Sequence, residues 1–141
     1  MKTRLFKQLS LFVTAIMLTA VLNAQTNTKV VAVINRADWC HVCQANGEKM
    51  MKEVMPVFEN SGIRFIMNDL TNDATTEKSK ELLKESKVYE AVKSNTYTGL
   101  VLLVDAETGK LTGKISVAEP AQKIIETLKM SAMKEPMKEK M

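Results

Sequence analysis

Apolar and polar residues follow one another along this chain in a pattern that predicts alternating strands and helices. Four short segments have the pattern of strands: 30–34, 63–67, 100–104 and 111–117. Three longer segments show the three- and four-residue spacing of helices: 40–60, 77–92 and a last helix that begins near Pro120. This order predicts an α/β protein with a single domain, followed by a loose tail at 131–141.

Turn and breaker residues set the limits of these elements. Asn60-Ser61-Gly62 is a helix stop signal, and Pro56 predicts a kink in the first helix. The polar segment 68–76 predicts a loop. The fully apolar run at 100–104 predicts a buried central strand. After a turn at 105–110, the strand at 111–117 is predicted to pair with it as an antiparallel hairpin. The helical side chains predicted to face the core are Leu82, Leu83, Val88, Ala91, Val92, Ile124, Ile125 and Leu128.

The N-terminus has the pattern of a secretory signal peptide. Lys2, Arg4 and Lys7 precede an apolar stretch at 9–22, and Ala24 offers a small residue for cleavage. The apolar stretch is shorter than the roughly 20 residues that a membrane-spanning helix needs, which disfavours an uncleaved anchor. We therefore expect a signal peptide over residues 1–24 and an exported protein, periplasmic or secreted, with no stable membrane insertion.

Most of the net positive charge belongs to this N-terminal segment. The whole chain has 20 basic and 16 acidic residues. Cleavage after Ala24 leaves 117 residues with 17 basic and 16 acidic side chains, a balance near +1. Composition therefore gives no reason to expect nucleic acid or an anionic membrane as a partner.

The two cysteines of the chain, Cys40 and Cys43, stand in a Trp-Cys-His-Val-Cys stretch between the first predicted strand and the first predicted helix. This position places Cys40 at the N-terminus of a helix, where the free backbone N–H groups and the helix dipole stabilise a thiolate. Cys43 follows one helical turn later, within reach of the first sulfur. The pair predicts a dithiol that cycles with a disulfide and needs no other cofactor.

A purely structural role explains this spacing less well. In an exported chain a cysteine pair ordinarily forms a stabilising cross-link. A ring of four residues contributes only about 2 kcal/mol by chain entropy, against roughly 4 kcal/mol for a ring near 50 residues. The spacing of Cys40 and Cys43 therefore favours redox chemistry.

The order of elements and the stretch at 37–43 resemble the thioredoxin family. The resemblance extends over 29–130, and the strand and turn at 100–109 are similar to the family's central strand. It implies a thioredoxin-like fold, with a mixed central β-sheet flanked by helices. It also implies a mechanism in which Cys40 attacks a substrate disulfide and Cys43 resolves the mixed disulfide.

Three features depart from the family pattern. The family has a cis-proline just before the central strand, where this chain has Thr98-Gly99, so the Thr98 backbone is left to form the substrate-docking edge. Thioredoxins carry a buried acid six residues before the first cysteine, where this chain has Ile34. The oxidising relatives have histidine beside the second cysteine, whereas His41 follows the first. The last departure favours a reductase, and the direction of electron flow stays open.

Several neighbouring side chains have simpler interpretations. Trp39 is expected to shield the sulfurs, and Asp38 to be a solvated turn residue. His41 either lies exposed on the first helical turn or bonds near the Cys40 sulfur. The methionines in the middle of the chain are predicted to fill the core: Met50, Met51, Met55 and Met67.

Two other functions could use the same residues. A copper-handling protein would use Cys40, Cys43 and His41 as soft ligands. A redox-inert binding module would keep the fold and present the Thr98 edge to a partner. The redox interpretation instead predicts a monomer that exchanges disulfides with protein substrates and an unidentified redox partner.

Overall fold

The computed structural model describes residues 27–134, so the predicted signal peptide lies outside the described residues. Within that part of the chain the strands are β1 (Val30–Arg36), β2 (Ile63–Asp69), β3 (Leu100–Asp105) and β4 (Leu111–Ser116). The α-helices there are α1 (His41–Lys49), α2 (Asp73–Glu85), α3 (Tyr89–Val92) and α4 (Ala121–Met133). No helix among the described residues is both long enough and apolar enough to cross a bilayer.

The four strands form one mixed sheet in the order β2-β1-β3-β4. β1 runs parallel to β2 and antiparallel to β3, and β4 returns antiparallel beside β3. In the middle of the sheet, Val33 pairs with Ile66 on one side and with Leu102 on the other. The predicted α/β architecture with a mixed sheet is confirmed, as is the central place of the strand at 100–104.

Both faces of the two central strands are buried, which explains why β1 and β3 are apolar without alternation over 30–34 and 100–104. Successive side chains of β1 point to opposite faces. Ala32 and Ile34 join a core cluster with the buried side chains of α4, whereas Val31 and Val33 join a cluster with α2 and α3. Apolar residues in β1 are thus needed on both sides of the strand.

The first helix changes its hydrogen-bonding pattern beyond α1. A π-helical turn over Met50–Val54 is followed by a 3₁₀ turn over Met55–Phe58. In the π turn an N–H donates to the carbonyl five residues back, and Pro56 has no N–H with which to continue the α-helical ladder. The predicted interruption at Pro56 is confirmed. The stop signal is confirmed too, because Asn60 adopts a left-handed φ of 58°.

The second helix begins earlier than its apolar spacing predicts. The Asn72 side chain accepts a hydrogen bond from the Thr75 N–H at 3.0 Å, and Thr75 Oγ1 accepts from the Asn72 N–H at 3.1 Å. This capping box starts α2 at Asp73. The prediction of a loop at 68–76 is therefore wrong for residues 73–76, and also for the end of β2.

The same helical segment is not continuous, as the predicted helix at 77–92 would be. Lys87 adopts a left-handed φ of 59° between α2 and α3. Leu83, Val88 and Val92 are buried as predicted. Leu82 is exposed, so its predicted core position is wrong.

The last helix follows Pro120 and packs its predicted apolar face on the sheet. Ile124 and Leu128 are fully buried, and Ile125 packs partly buried against the same cluster. α4 extends to Met133, three residues beyond the predicted limit of the domain. The remainder of the predicted tail, residues 135–141, lies outside the described residues.

Candidate active site

A disulfide bond joins Cys40 and Cys43 at the start of α1, with their Cα atoms 5.2 Å apart. β1 ends at Arg36, and a short turn closed by a hydrogen bond from the Cys40 N–H to the Ala37 carbonyl leads to the first sulfur. Cys40 is the N-cap residue of α1, so its side chain stands at the free N–H end of a nine-residue helix. The cysteine pair thus occupies the carboxyl end of a central strand.

The two sulfurs have different hydrogen-bonding surroundings. Cys40 Sγ accepts a hydrogen bond from the Cys43 N–H at 3.2 Å. Cys43 Sγ lies 3.9 Å from the carbonyl oxygen of Asn35, an acceptor. After reduction, the donor favours a thiolate on Cys40, and the carbonyl favours a protonated thiol on Cys43.

Solvent exposure distinguishes the sulfurs in the opposite sense. Cys40 is 6% exposed, whereas Cys43 is half-buried and lines an open groove. Electrostatics therefore favour Cys40 as the attacking sulfur, while access favours Cys43. Because only the thiolate is a strong nucleophile, the N–H donor at Cys40 favours this sulfur over the more accessible Cys43.

A polar network fixes the turn that carries the cysteines. Asp69 at the end of β2 pairs with Arg36, and Arg36 pairs in turn with Asp38. Asp69 also accepts hydrogen bonds from the N–H and the hydroxyl of Thr71, whose own Oγ1 accepts from the Asp38 N–H at 3.0 Å. Trp39 donates its indole N–H to the Thr71 carbonyl at 3.3 Å. Asp38 is thus an ion-paired member of this network, not only a solvated turn residue.

The same network lowers the pKa of the Asp69 carboxyl below its ordinary value. The hydrogen bond from the Thr71 hydroxyl is the main cause, supported by the Thr71 backbone N–H and the positive charge of Arg36, against the opposing effect of burial. Asp69 therefore stays ionised at neutral pH and holds its partners in place.

The Thr98–Gly99 segment lies directly beside the cysteine helix. A Cβ atom on Gly99 would come within 3.2 Å of Val42 Cγ1, and Val42 stands between the two cysteines. Gly99 has a φ of +79°, and its N–H donates to the Asn35 carbonyl at 2.8 Å. The structure thus brings together the cysteines and the predicted docking edge, although their sequence positions are far apart.

Asn35 is a residue of this site that the sequence patterns do not single out. It is fully buried, and its Nδ2 donates to the carbonyls of Asn95 and Tyr97 at 2.6 and 3.1 Å. Its Oδ1 accepts from Asn68 Nδ2 at 2.8 Å. The signal that could have found it is one polar residue at the end of an otherwise apolar strand run.

His41 lies exposed on the first turn of α1. Among the described residues, no group of three or more histidine, cysteine, aspartate or glutamate side chains is placed to hold a metal ion. The structure therefore does not assemble Cys40, Cys43 and His41 into one ligand set.

The four central methionines do not all fill the core. Met50 is buried and Met55 is partly buried against the core, whereas Met51 is 57% exposed and Met67 is 40% exposed. The prediction of core packing is therefore wrong for Met51 and Met67. All four line a groove beside Cys43.

Comparisons with known proteins give few matches. No family model matches this chain, and no curated protein matches it. A search of solved structures finds the crystal structure of Trxlp from Edwardsiella tarda. The two chains are 18% identical, and the match covers 74% of this chain and 86% of that chain with a TM-score of 0.46.

Proposed function

We propose that this chain is an exported, thioredoxin-like thiol–disulfide oxidoreductase. The observation that carries the proposal is the Cys40 sulfur, which caps α1, accepts a hydrogen bond from the Cys43 N–H and is bonded to the Cys43 sulfur. A helix N-terminus favours a thiolate, and a second sulfur one turn away can displace a bound partner.

The proposed reduction proceeds in two exchanges. The Cys40 thiolate attacks one sulfur of a substrate disulfide, which forms a mixed disulfide and releases the other substrate sulfur as a thiolate. Cys43 then loses its proton to solvent and attacks the Cys40 sulfur, which forms the Cys40–Cys43 bond and releases the second substrate thiolate. The substrate gains two electrons and the dithiol loses two; substrate oxidation is the same sequence in reverse.

The surface around the disulfide suits a protein substrate. Trp39, Val42 and Tyr97 all expose apolar surface on the segments that carry or face the cysteines. Thr98 lies between Tyr97 and Gly99, and Gly99 lies next to Val42. An extended polypeptide could bind these side chains and the Thr98 backbone while its own sulfur reaches the pair.

The first test is a redox titration of the purified chain in glutathione and dithiothreitol buffers. We expect a reversible two-electron transition with a midpoint nearer the roughly −270 mV of a reductant than the −120 mV of a strong oxidant. The absence of histidine beside Cys43 supports that direction. A cysteine pair that never cycles would contradict the proposal and favour a redox-inert binding module.

The second test assigns the two sulfurs. With Cys43→Ser, the mixed disulfide on Cys40 cannot be resolved, so we expect covalent substrate adducts on non-reducing gels. With Cys40→Ser, we expect exchange to stop without adducts. If adducts accumulate on Cys40→Ser instead, the exposed Cys43 attacks first and the proposed roles are reversed.

Export and quaternary state are further parts of the proposal. The N-terminal pattern supports cleavage near Ala24 and a periplasmic or secreted location, where a thiol pair meets protein disulfides. We propose a monomer that works with a separate redox partner. N-terminal sequencing of the protein isolated from its source tests export. A chain that is found in the cytoplasm and still carries residues 1–24 would contradict it.

A further inference from the structure

A groove lined by methionine side chains opens beside the cysteine pair. Its volume is about 530 Å³, and the residues that line it include Cys43, Met50, Met51, Met55 and Met67. We term it the thioether groove. It brings together five sulfur-containing residues, although they come from a helix, an irregular turn and a strand.

Local backbone geometry explains why three of these methionines share one wall. An α-helix turns through 3.6 residues, so Met50 and Met55 would point in different directions on a regular helix. In the π turn the Met55 N–H bonds to the Met50 carbonyl, five residues back, and both residues line the groove together with Met51. Isolated π turns are frequent at functional sites.

The fourth methionine faces them from the sheet. Met67 belongs to β2, and its side chain lies on the sheet face that carries Ile63 and Phe65 of the first core cluster. Met67 and Met51 are substantially exposed, so neither is held by core packing. Exposed, unbranched thioethers are free to turn towards a ligand in the groove.

We propose that the thioether groove binds Cu(I) in the reduced protein, with the Cys43 thiolate and the methionine thioethers as ligands. Thiolate and thioether sulfurs are soft donors, the class that selects Cu(I). On binding, the Cys43 thiol gives its proton to solvent and forms a sulfur–copper bond. No electron is transferred, because the ion enters as Cu(I).

The surroundings of the groove disfavour harder ions. Within the described part of the chain, no cluster of three histidine, cysteine or carboxylate side chains could hold a metal, so Zn²⁺ lacks its usual ligand set. Arg36 also lines the groove, but its guanidinium is paired with both Asp38 and Asp69. Its positive charge is thereby compensated.

This site differs from a copper site on Cys40, Cys43 and His41. Its neutral ligands are methionine thioethers of the groove, and neither Cys40 nor His41 is a ligand. It goes beyond the proposed function and does not depend on catalysis of disulfide exchange. It does require reduced Cys43, so the Cys40–Cys43 disulfide removes the thiolate ligand and weakens the site.

The test is a Cu(I) titration of the reduced, untagged chain under anaerobic conditions, in competition with the chelator bicinchoninate. One variant combines Met51→Leu with Met67→Leu, which keeps the apolar volume and removes two groove thioethers. The matched control combines Met130→Leu with Met133→Leu, since these methionines are 60% and 75% exposed and lie outside the groove.

We expect one Cu(I) per wild-type or control chain, and X-ray absorption showing three or more sulfur ligands. Loss of a group that only hydrogen-bonds to a metal ligand already lowers metal affinity about 10–100-fold. Loss of two thioether ligands should therefore lower the Cu(I) affinity at least about tenfold. Unchanged affinity in the groove variant would overturn the proposal in favour of a cysteine-only site. Absence of Cu(I) binding would overturn it outright, while the redox titration of the wild-type chain tests exchange separately.

Discussion

Asn35 is the buried amide that connects the cysteine pair to the segment facing it. Its side-chain amide donates to the backbone carbonyls of Asn95 and Tyr97. Its backbone carbonyl accepts a hydrogen bond from the Gly99 N–H and lies near Cys43 Sγ. All four of these contacts converge on one residue at the end of β1. We therefore interpret Asn35 as a positioning residue for the Thr98 edge.

Replacement of Asn35 by leucine tests this interpretation. Asn35→Leu leaves buried partners without hydrogen bonds, so we expect a loss of unfolding free energy of about 1–3 kcal/mol. We also expect exchange with a protein disulfide to slow more than exchange with oxidised glutathione, because in our proposal only the protein substrate binds the Thr98 edge. Urea denaturation and the two exchange rates measure these effects.

The comparison of the two substrates separates positioning from general destabilisation. A variant that was only less stable would keep both exchange rates under conditions where it remains folded, and any loss of folded protein would lower both rates by the same factor. Equal slowing would therefore contradict the positioning role of Asn35, even if the loss of stability is observed.

At the scale of the elements, the apolar central strands were predictable because both of their faces are buried. β2 extends beyond its apolar residues to Asp69. The buried Asn68 is accommodated in this strand because its side chain donates a hydrogen bond to the side chain of Asn35 on β1. The start of α2 does not follow from the apolar pattern, because Asn72 and Thr75 are typical loop residues unless their capping bonds are known. Local composition alone does not distinguish a cap from a loop.

The candidate site also has a part that the sequence predicts and a part that it does not. The cysteine pair and its place at a helix start follow from spacing along a short stretch, so they could be predicted. The contact of Gly99 with Val42 and the bonds of Asn35 to the 95–97 segment join residues some 60 positions apart. The thioether groove depends on a π turn, which has no simple sequence signature. These long-range features required the structure.

Two glycines provide a matched test of backbone requirements beside the site. Gly47 lies within α1, and an added Cβ there meets no atom within 4 Å. Alanine is favoured over glycine inside a helix, so we expect Gly47→Ala to raise the unfolding free energy by about 0.5–1 kcal/mol. Chemical denaturation monitored by circular dichroism would measure this change.

Gly99→Ala adds the same methyl group but should have the opposite effect. Its φ of +79° is unfavourable for an L-residue, and its Cβ would press on Val42. We expect a loss of about 1–2 kcal/mol. A neutral Gly99→Ala, or a destabilising Gly47→Ala, would contradict the backbone geometry described for these elements.

For the whole molecule, acid stability should reflect two carboxyl groups at strand ends. The Thr71 hydroxyl is the main cause that lowers the pKa of Asp69, and the Thr108 backbone N–H is the main cause that lowers the pKa of Asp105. Both folded values lie below the ordinary 3.8. The ionised groups therefore stabilise the fold above about pH 4, and this contribution is lost as the pH falls through the folded pKa.

We expect the unfolding free energy from urea denaturation to decrease below about pH 4. Asp69→Asn removes one of the two groups, so its decrease should be shallower than that of the wild type. Glu59→Gln removes an exposed carboxylate and should keep the wild-type slope. A wild-type slope in Asp69→Asn would show that its hydrogen bonds do not contribute to acid stability.

The position of β2 and β4 at the two edges of the sheet has a consequence for solubility. Edge strands offer backbone hydrogen-bonding groups to other chains, and charged side chains discourage such pairing. β2 exposes Arg64 and β4 exposes Lys114. Because the chain left by the proposed cleavage has almost no net charge, repulsion between molecules is weak. Protection against edge-to-edge aggregation then rests on these local charges, and it should weaken as ionic strength rises.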